Sequence, residues 1–224
     1  VFVLNNDQRK WLTGDQMNLA ESKVYLTSLW ADSIYKSVKV TKKEVFGIDN
    51  NHPVMLFVGR LSKEKGVLEL PNILKSVRQA FPEVVLVVVG EGPATEQLKK
   101  VLPDSVFFKW AAQERLPAIY SAADILVFPS KFDTFSRTSL ESLSCSLPVI
   151  SYNTKGTKDI IRNGECGFLV NTQEQMCEKI IEYLSNPQQQ NDFRVAALEC
   201  AKNYNRDCIV EQFVSNVWES CEKK

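Results

Sequence analysis

The chain has 224 residues and a formal net charge of zero, because 27 Lys and Arg residues balance 27 Asp and Glu residues. This balance argues against a protein that binds nucleic acid or an acidic membrane surface through bulk charge. Apolar residues make up 44% of the sequence, an ordinary globular content, and the apolar runs fall well short of the ~18–20 residues that cross a bilayer. The length allows one large domain or two small ones, with a core that needs neither disulfides nor metal.

The first fifty residues have an irregular pattern. VFVL followed by NNDQRKWL predicts a strand and a helix, KVYLTSLWADSIY predicts a second strand and a turn, and KVTKKEVFGIDNNH is typical of a linker. A chain that begins inside a strand usually belongs to a larger protein. We therefore interpret residues 1–50 as part of a preceding domain together with a connecting segment.

From residue 53 onward, short apolar runs alternate with helical patterns. The predicted strands are 54–59, 84–90, 106–110, 125–130, 148–153 and 167–170. Almost all of the chain after residue 172 is predicted to be helical, with a break at Asn186-Pro187. This alternation predicts an α/β fold, in which a Rossmann-like parallel sheet is flanked by helices and followed by a helical C-terminus.

The cysteines form no CxxC pair, and a single histidine, His52, accompanies them. A zinc site is therefore not expected. Three disulfides are conceivable, but a chain of this size does not need them, and we interpret the cysteines as a sign of a reducing, cytoplasmic compartment. Cys177, Cys200 and Cys208 fall in helical patterns, where thiols usually act as small core side chains.

Ligands of open parallel sheets bind at the carboxyl ends of the strands, so the residues that follow each strand are candidates. GRLSKEKG follows the first of the six strands and contains Arg60 and Lys65, whose cationic groups suit phosphate oxygens. A solvated basic loop is an equally good interpretation. GEGP (90–93) follows the next strand, and here an ordinary tight turn is favoured. The sequence contains neither a Walker A loop nor GxGxxG, which disfavours a dinucleotide oxidoreductase.

The segment 129–150 is the most specific one. Asp133 follows a predicted strand, and Glu141 lies eight residues further on, in the next predicted helix. The amides of Thr134, Phe135 and Ser136 are expected to be free at the N-terminus of that helix, where anions bind. Carboxylates beside an anion site suit a ligand with both hydroxyls and a pyrophosphate, as a nucleotide-sugar has. The alternative is that Asp133 caps the helix and Glu141 is solvated.

A fourth segment, 152–170, contains Gly156, Gly164 and Gly167, which by themselves predict turns. Taken in order, GR-x4-KG, G-x-GP, the 129–150 segment with LPVI, and G-x10-GFLV resemble the C-terminal half of a retaining GT-B glycosyltransferase of the glycosyltransferase family 4 (group 1) type. The resemblance runs from about Lys23 to the C-terminus.

The resemblance implies that residues 51–224 are a nucleotide-sugar donor-binding domain. Residues 1–50 would then be the remnant of an N-terminal acceptor domain and the interdomain segment. It also implies a donor site in which Arg60 and Lys65 neutralise the diphosphate, Asp133 lies near the transferred sugar and Glu141 accepts bonds from ribose hydroxyls. The implied donor-binding set is Gly59, Arg60, Lys65, Thr134, Phe135, Ser136 and Glu141, and the implied catalytic set is Asp133, Arg60 and Lys65.

The implied reaction is retaining transfer of a hexose from a UDP- or GDP-sugar through an oxocarbenium-like ion pair. No metal and no cofactor are implied, and the lack of Asp-x-Asp disfavours the metal-dependent GT-A type. The acceptor would be a glycan or a lipid-linked acceptor bound by the N-terminal domain, without which this domain would be inactive. Peripheral membrane association of the full-length protein is also allowed, and nucleic acid is not an expected partner.

Several positions depart from the family pattern. Asp133 stands where Glu is usual, and Ser136, Ser146 and Lys155 stand where Gly is usual. These changes put the sugar specificity in doubt more than the fold. Two alternatives therefore stay open, namely a non-catalytic nucleotide-sugar-binding domain and a GT-B epimerase or phosphorylase.

Apolar residues that normally meet a partner domain are expected at the surface, among Val1–Leu4, Trp30 and the helix with Phe213, Val217 and Trp218. The spacing in that helix also suits packing in the core, which we favour. Base recognition is expected at 108–110 and at the GEGP turn.

Overall fold

Two sheets of parallel strands are present in the computed structural model, which describes residues 1–15 and 17–222. The smaller sheet pairs β1 (Phe2–Val3) with β2 (Tyr25–Leu26). The larger sheet has six strands in the order β5-β4-β3-β6-β7-β8. Its strands are β3 (Val54–Val58), β4 (Val85–Val89), β5 (Val106–Phe108), β6 (Ile125–Phe128), β7 (Val149–Tyr152) and β8 (Gly167–Val170). The predicted parallel sheet is confirmed.

Helices cover both faces of the large sheet and form most of the C-terminal region. They are α1 (Asn6–Thr13), α2 (Lys42–Phe46), α3 (Leu70–Val77), α4 (Thr95–Val101), α5 (Leu116–Ala122), α6 (Arg137–Ser144), α7 (Gln173–Leu184), α8 (Pro187–Lys202) and α9 (Arg206–Glu222). The predicted break is confirmed, because the Asn186 side chain accepts from the Gln189 amide and starts α8 with Pro187 in its first turn.

The large sheet separates two apolar cores. All five residues of β3 are buried, and successive side chains alternate between the two faces, so that Met55 and Phe57 pack on one side and Leu56 on the other. A strand buried on both faces has no polar positions, which explains why the sequence shows a continuous apolar run there. The same is true of β6, and every residue of β7 is buried too, although β7 includes Ser151, whose hydroxyl donates to the Tyr152 carbonyl.

Five of the six predicted strands extend too far. Gly59, Gly90 and Asn153 lie beyond the strands to which the sequence assigns them, because the chain turns away from the sheet there. The predicted linker at 39–52 is wrong in part, since it contains the short helix α2. Thr41 caps that helix and exchanges hydrogen bonds with Glu44 in a capping box.

Helix α9 presents large apolar side chains to solvent. Trp218 is 66% exposed and Phe213 is also exposed, so the favoured prediction that this helix packs in the core is wrong. Phe2 on β1 packs its ring against those of Phe213, at 4.8 Å, and Tyr25, at 5.5 Å. Cys208 on α9 is exposed, which corrects its assignment to the core. Within the described residues, no helix combines the length and apolar character that a membrane span requires.

Candidate functional site at the carboxyl edge of the sheet

The sheet has a topological switch point between β3 and β6. From β3 the chain adds β4 and then β5 on one side, whereas β6, β7 and β8 follow on the other side. The loops that leave β3 and β6 therefore run apart at the carboxyl edge, which is where open α/β sheets bind ligands. Arg60 and Lys65 lie in the loop after β3, and Asp133 lies in the loop after β6.

Two glycines allow the loops around this point to approach one another closely. Gly66 has φ +71°, and a Cβ atom there would lie 1.9 Å from the carbonyl oxygen of Pro129. A Cβ atom on Gly156, in the loop after β7, would lie 2.8 Å from backbone atoms of Asp133 and Phe135. Both distances are too short for any side chain, so the close approach of the three loops depends on glycine at both positions.

A cleft of about 950 Å³ opens between these loops and α1. Its lining residues are Asp7, Lys65, Lys131, Phe132, Asp133, Thr134, Asn153, Thr154, Lys155 and Lys158. Four of these side chains are cationic and two are carboxylates. The excess of lysines makes the cleft attractive to an anionic ligand.

An ion pair between Lys65 and Asp133 crosses the cleft at the switch point. Lys65 Nζ lies 2.9 Å from Asp133 Oδ2, and the Asp133 side chain is only 11% exposed. The lysine nitrogen also lies 5.6 Å from the centre of the Phe128 ring. The structure thus brings together Lys65 and Asp133, two predicted site residues that are 68 positions apart in the sequence. Asp133 does not cap α6, because the Ser136 hydroxyl fills that role by accepting from the Ser139 amide.

The expectation of three free amides before α6 needs correction at Ser136. Its amide donates to the carbonyl of Gly156 at 3.0 Å and is therefore occupied by the protein itself. The carbonyl of Thr134, which lines the cleft, accepts from the Asn5 side chain at 3.0 Å. The Phe135 ring packs edge-on against Tyr204 at 6.0 Å, so this side chain forms part of the wall behind the loop.

Gly59 and Arg60 lie at the edge of β3 and not in the cleft lining of the described residues. The Gly59 amide donates to the Val89 carbonyl at 3.0 Å, and the Arg60 side chain is exposed. A Cβ atom on Gly90, in the GEGP turn, would lie 2.0 Å from the Gly59 carbonyl oxygen. The turn therefore has a structural role next to Arg60, in agreement with the favoured interpretation as a tight turn.

Glu141 lies one turn into α6 and outside the lining of the cleft among the described residues. The Tyr120 hydroxyl donates to Glu141 Oε2 at 3.0 Å, and Tyr120 is fully buried. Burial raises the pKa of the Glu141 carboxyl, although the Tyr120 hydrogen bond and the charge of Arg137 act in the opposite direction. The alternative of a solvated Glu141 is therefore wrong, and the carboxylate has a defined hydrogen-bond partner.

The sequence analysis did not assign four charged residues of the cleft to a site, namely Lys131, Lys155, Lys158 and Asp7. Lys131 lies three residues after the end of β6, and its Nζ is 2.7 Å from Glu69 and 4.9 Å from the centre of the Tyr152 ring. Lys155 was noted as a replacement of glycine but not as part of a site. The positions of these lysines after strands β6 and β7 are a signal that could have found them, whereas nothing local in α1 points to Asp7.

The fold and this cleft define an α/β domain with a cationic cleft at a topological switch point. Residues 38–199 match the family model described as "Glycosyl transferases group 1". This match covers more than half of the chain, and the chain belongs to that family. Its sheet, flanking helices and helical C-terminus are the GT-B type of fold that the sequence predicted.

Curated relatives agree with this assignment. A GDP-mannose-dependent alpha-mannosyltransferase of Corynebacterium glutamicum is 27% identical over 162 residues, covering 71% of this chain and 38% of its own length. Sulfoquinovosyl transferase SQD2 of Arabidopsis thaliana is 34% identical over 124 residues, covering 53% of this chain and 24% of its own length. The chain thus matches less than half of either relative.

Solved structures share the fold at low identity. Sucrose-phosphate synthase of Thermosynechococcus elongatus superimposes with a TM-score of 0.86 and 20% identity, covering all of this chain and 59% of that one. Anabaena HepE, solved in complex with UDP, superimposes with a TM-score of 0.83 and 18% identity, covering 97% of this chain and 63% of that one. At these identities the similarity establishes the fold.

Proposed function

We propose that this chain is the nucleotide-sugar donor-binding domain of a retaining hexosyltransferase. The observation that carries the proposal is the Lys65–Asp133 pair, which stands in a cationic cleft at the switch point of a glycosyltransferase fold. A lysine can hold a phosphate oxygen and a nearby carboxylate can hold sugar hydroxyls. A nucleotide-sugar is the ligand class that carries both groups side by side.

The diphosphate of the donor would be held by lysines of the cleft. Lys65 is the first candidate, and it would exchange Asp133 for a phosphate oxygen when the donor binds. Lys131 and Lys155 line the same cleft and would add positive charge, while Arg60 would contribute from its exposed position after β3. Cations around a leaving diphosphate stabilise the charge that develops as the glycosidic bond breaks.

The nucleoside would lie on the other side of β3, toward β4 and β5. Glu141 would accept hydrogen bonds from ribose hydroxyls, with Tyr120 fixing its orientation. Trp110, which is exposed just beyond β5, and the GEGP turn would contact the base. The proposed donor site also includes Gly59, Thr134, Phe135 and Ser136. The Ser136 amide already donates to the Gly156 carbonyl, so Ser136 would hold the loop in position and would not bind the ligand through its amide.

The proposed reaction retains the anomeric configuration. The donor's glycosidic bond would break toward an oxocarbenium-like ion paired with the departing diphosphate, and a phosphate oxygen would take the proton of the attacking acceptor hydroxyl. Asp133, freed from Lys65, would hold the transferred sugar and stabilise its positive charge. Neither a metal ion nor a cofactor is part of this proposal, and the nucleotide-sugar is the substrate.

The acceptor side belongs to a part of the enzyme outside residues 51–224. The curated relatives are about twice the matched length or longer, which supports a further, acceptor-binding domain, of which residues 1–50 would be the remnant together with the interdomain segment. We propose that this domain binds a glycan or lipid-linked acceptor, that the donor domain alone is inactive, and that the enzyme works in the cytoplasm with peripheral attachment to a membrane.

Calorimetric titration with UDP and GDP tests donor binding. We expect Lys65→Ala to weaken the preferred nucleotide about 10- to 100-fold, because a charged hydrogen bond contributes ~1.5–3 kcal/mol. Arg60→Ala should weaken it in the same direction. Lys63→Ala is the matched control, since Lys63 is exposed in the same loop and lies outside the cleft lining of the described residues. A folded chain that binds neither nucleotide would refute the proposal.

A second candidate is a non-catalytic nucleotide-sugar-binding domain. It is favoured by the Ser136 amide, which is engaged by Gly156 and not available to a ligand. The full-length protein separates the two candidates. Transfer or hydrolysis of a UDP- or GDP-sugar supports the transferase, whereas tight donor binding without turnover of any donor supports the second candidate.

A further inference from the structure

Cys166 and Cys200 form a buried pair of thiols outside the proposed donor site. Cys166 directly precedes β8, and Cys200 lies in the last turn of α8, 34 positions further along the chain. Their sulfur atoms are 2.7 Å apart, and the two residues are 0% and 1% exposed. Two sulfurs this close are well inside ordinary van der Waals contact, so the fold holds them within reach of a bond.

The surroundings of the pair differ from those of the other buried cysteines. The Arg162 amide donates to Cys166 Sγ at 3.3 Å. The hydrogen-bonding contact with Cys166 and the positive charge of Arg162 lower the pKa of Cys200, against the effect of burial. Burial raises the pKa of Cys145 to about 12 and also raises that of Cys177. Cys200 is therefore the better nucleophile among the buried thiols.

We propose that Cys166 and Cys200 are a redox-active pair that forms an intrachain disulfide when the protein meets a peroxide. Once local opening at the C-terminal end of α8 admits hydrogen peroxide, the Cys200 thiolate attacks one of its oxygens, the O–O bond breaks, and Cys200 becomes a sulfenic acid while hydroxide leaves. The Cys166 thiol then attacks the Cys200 sulfur, the S–S bond forms, and the sulfenic oxygen leaves as water. In total, two thiols and one peroxide give one disulfide and two waters.

The bond requires only a small movement. A disulfide needs sulfurs ~2.05 Å apart, so the pair has to approach by about 0.7 Å. The bond would connect the end of α8 to the segment that leads into β8. Four residues beyond Cys200, the Tyr204 ring packs against Phe135 and its hydroxyl donates to the Asp159 carbonyl at 2.5 Å. The disulfide would therefore restrict the movement of Tyr204 and of the Phe135 side chain that it packs against, behind the cleft.

The experiment uses the chain with Cys208→Ser and Cys221→Ser, because these two cysteines are exposed and would oxidise first. Four cysteines remain of the six. After treatment with a small excess of hydrogen peroxide, we expect the denatured protein to show two free thiols, a mass loss of about 2 Da and a linked peptide pair containing Cys166 and Cys200. The Tm should rise by at least about 5 °C and return to its first value with dithiothreitol.

Cys166→Ser and Cys200→Ser should each abolish the mass loss and the rise in Tm. Cys145→Ala is the matched control, because it removes another buried cysteine and should leave the link intact. Four free thiols after oxidation, or a link that joins any other pair, would overturn the proposal. If Cys166→Ser or Cys200→Ser fails to fold, peptide mapping of the oxidised Cys208→Ser, Cys221→Ser protein still shows whether Cys166 and Cys200 are linked.

Discussion

The six-stranded body and the opening segment of residues 1–26 are held in place by different forces. In the body, every residue of β3 is buried and apolar. In the opening segment, the two strands have two residues each and α1 has no buried residue. Its contacts with the body include polar ones, from Asn5 to the Thr134 carbonyl and from Asp7 to Lys158. The comparison indicates that the body determines the stability of the fold, while the opening segment docks onto the rim of the cleft.

The largest expected effect is in the centre of the body. Leu56 lies in β3 and is fully buried, so Leu56→Ala removes apolar contacts and leaves a cavity. We expect the free energy of unfolding to fall by about 2–5 kcal/mol, measured by urea denaturation. Met17→Ala in the opening segment is the control, because Met17 is exposed and its change should stay within about 0.5 kcal/mol. Equal losses in the two variants would contradict the comparison.

The same difference explains what could be predicted from the sequence. Short continuous apolar runs such as 54–58 and 125–128, bounded by turn residues and alternating with helical patterns, are typical of strands buried on both faces of a parallel sheet. All six strands of the body were therefore predictable. Helix α9 was misassigned, because an apolar stripe at helical spacing has the same pattern whether it faces a core or, as with Trp218, the solvent.

The site was predictable where it depends on strand ends and less so where it depends on distant contacts. Lys65 and Asp133 each follow a strand, and the parallel order brings them together. The Ser136 amide was predicted to be free, but its acceptor, the Gly156 carbonyl, lies in another loop. Asp7 pairs with a lysine 151 positions away, and no local pattern encodes such a distance.

Asn5 offers the next largest effect and tests how the opening segment is attached. Its buried side chain accepts from the Gln8 amide as the cap of α1 and donates to the Thr134 carbonyl. We expect Asn5→Ala to weaken local structure by about 1–2 kcal/mol. Hydrogen exchange should therefore become about 5- to 30-fold faster in residues 6–13 and stay unchanged in the sheet.

Asn6→Ala is the matched control for that experiment. Asn6 is exposed and contacts Asp159 through its backbone amide, which the substitution keeps. Exchange in residues 6–13 should then change little. If Asn5→Ala instead lowers the global stability as much as Leu56→Ala does, the opening segment and the body unfold as one unit and the distinction between them fails.

Glu141 gives a smaller effect than Asn5, with a definite pH dependence. Because burial raises its pKa in the folded chain, the folded state holds the proton more tightly than the unfolded state. Stability is then lost as the pH rises from the unfolded value, near 4.5, through the folded value. Glu141→Gln should stabilise the chain at pH 7, where the Gln carbonyl can still accept from Tyr120, and the gain should vanish below about pH 4.

The measurement is urea denaturation at pH 7 and at pH 4. Glu178→Gln, at an exposed position of α7, should change the stability by less than about 0.5 kcal/mol at both pH values. The same Glu141→Gln variant should bind UDP or GDP more weakly if Glu141 holds the ribose. A loss of stability that is equal at the two pH values would show that the charge of Glu141 is not the cause.

The Asp7–Lys158 pair gives the smallest effect, with the opposite dependence on pH. The nitrogen and oxygen are 2.6 Å apart, and about a third of each side chain is exposed. The hydrogen bond from Lys158 lowers the pKa of Asp7, so its contribution is present above the unfolded value of 3.8 and is lost as the pH falls through the folded value. Solvent screens an exposed pair, and a double-mutant cycle of Asp7→Asn and Lys158→Met should give a coupling below about 1 kcal/mol.

Salt separates this pair from the Glu141 effect. Raising the ionic strength from 0.05 M to 0.5 M should remove most of the Asp7–Lys158 coupling, because the screening length falls to a few ångströms. The gain from Glu141→Gln should persist, since it arises mainly from burial and not from a solvated pair. A coupling above about 2 kcal/mol that resists salt would mean that α1 is part of the body. Residues 1–13 would then form a fixed wall of the cleft.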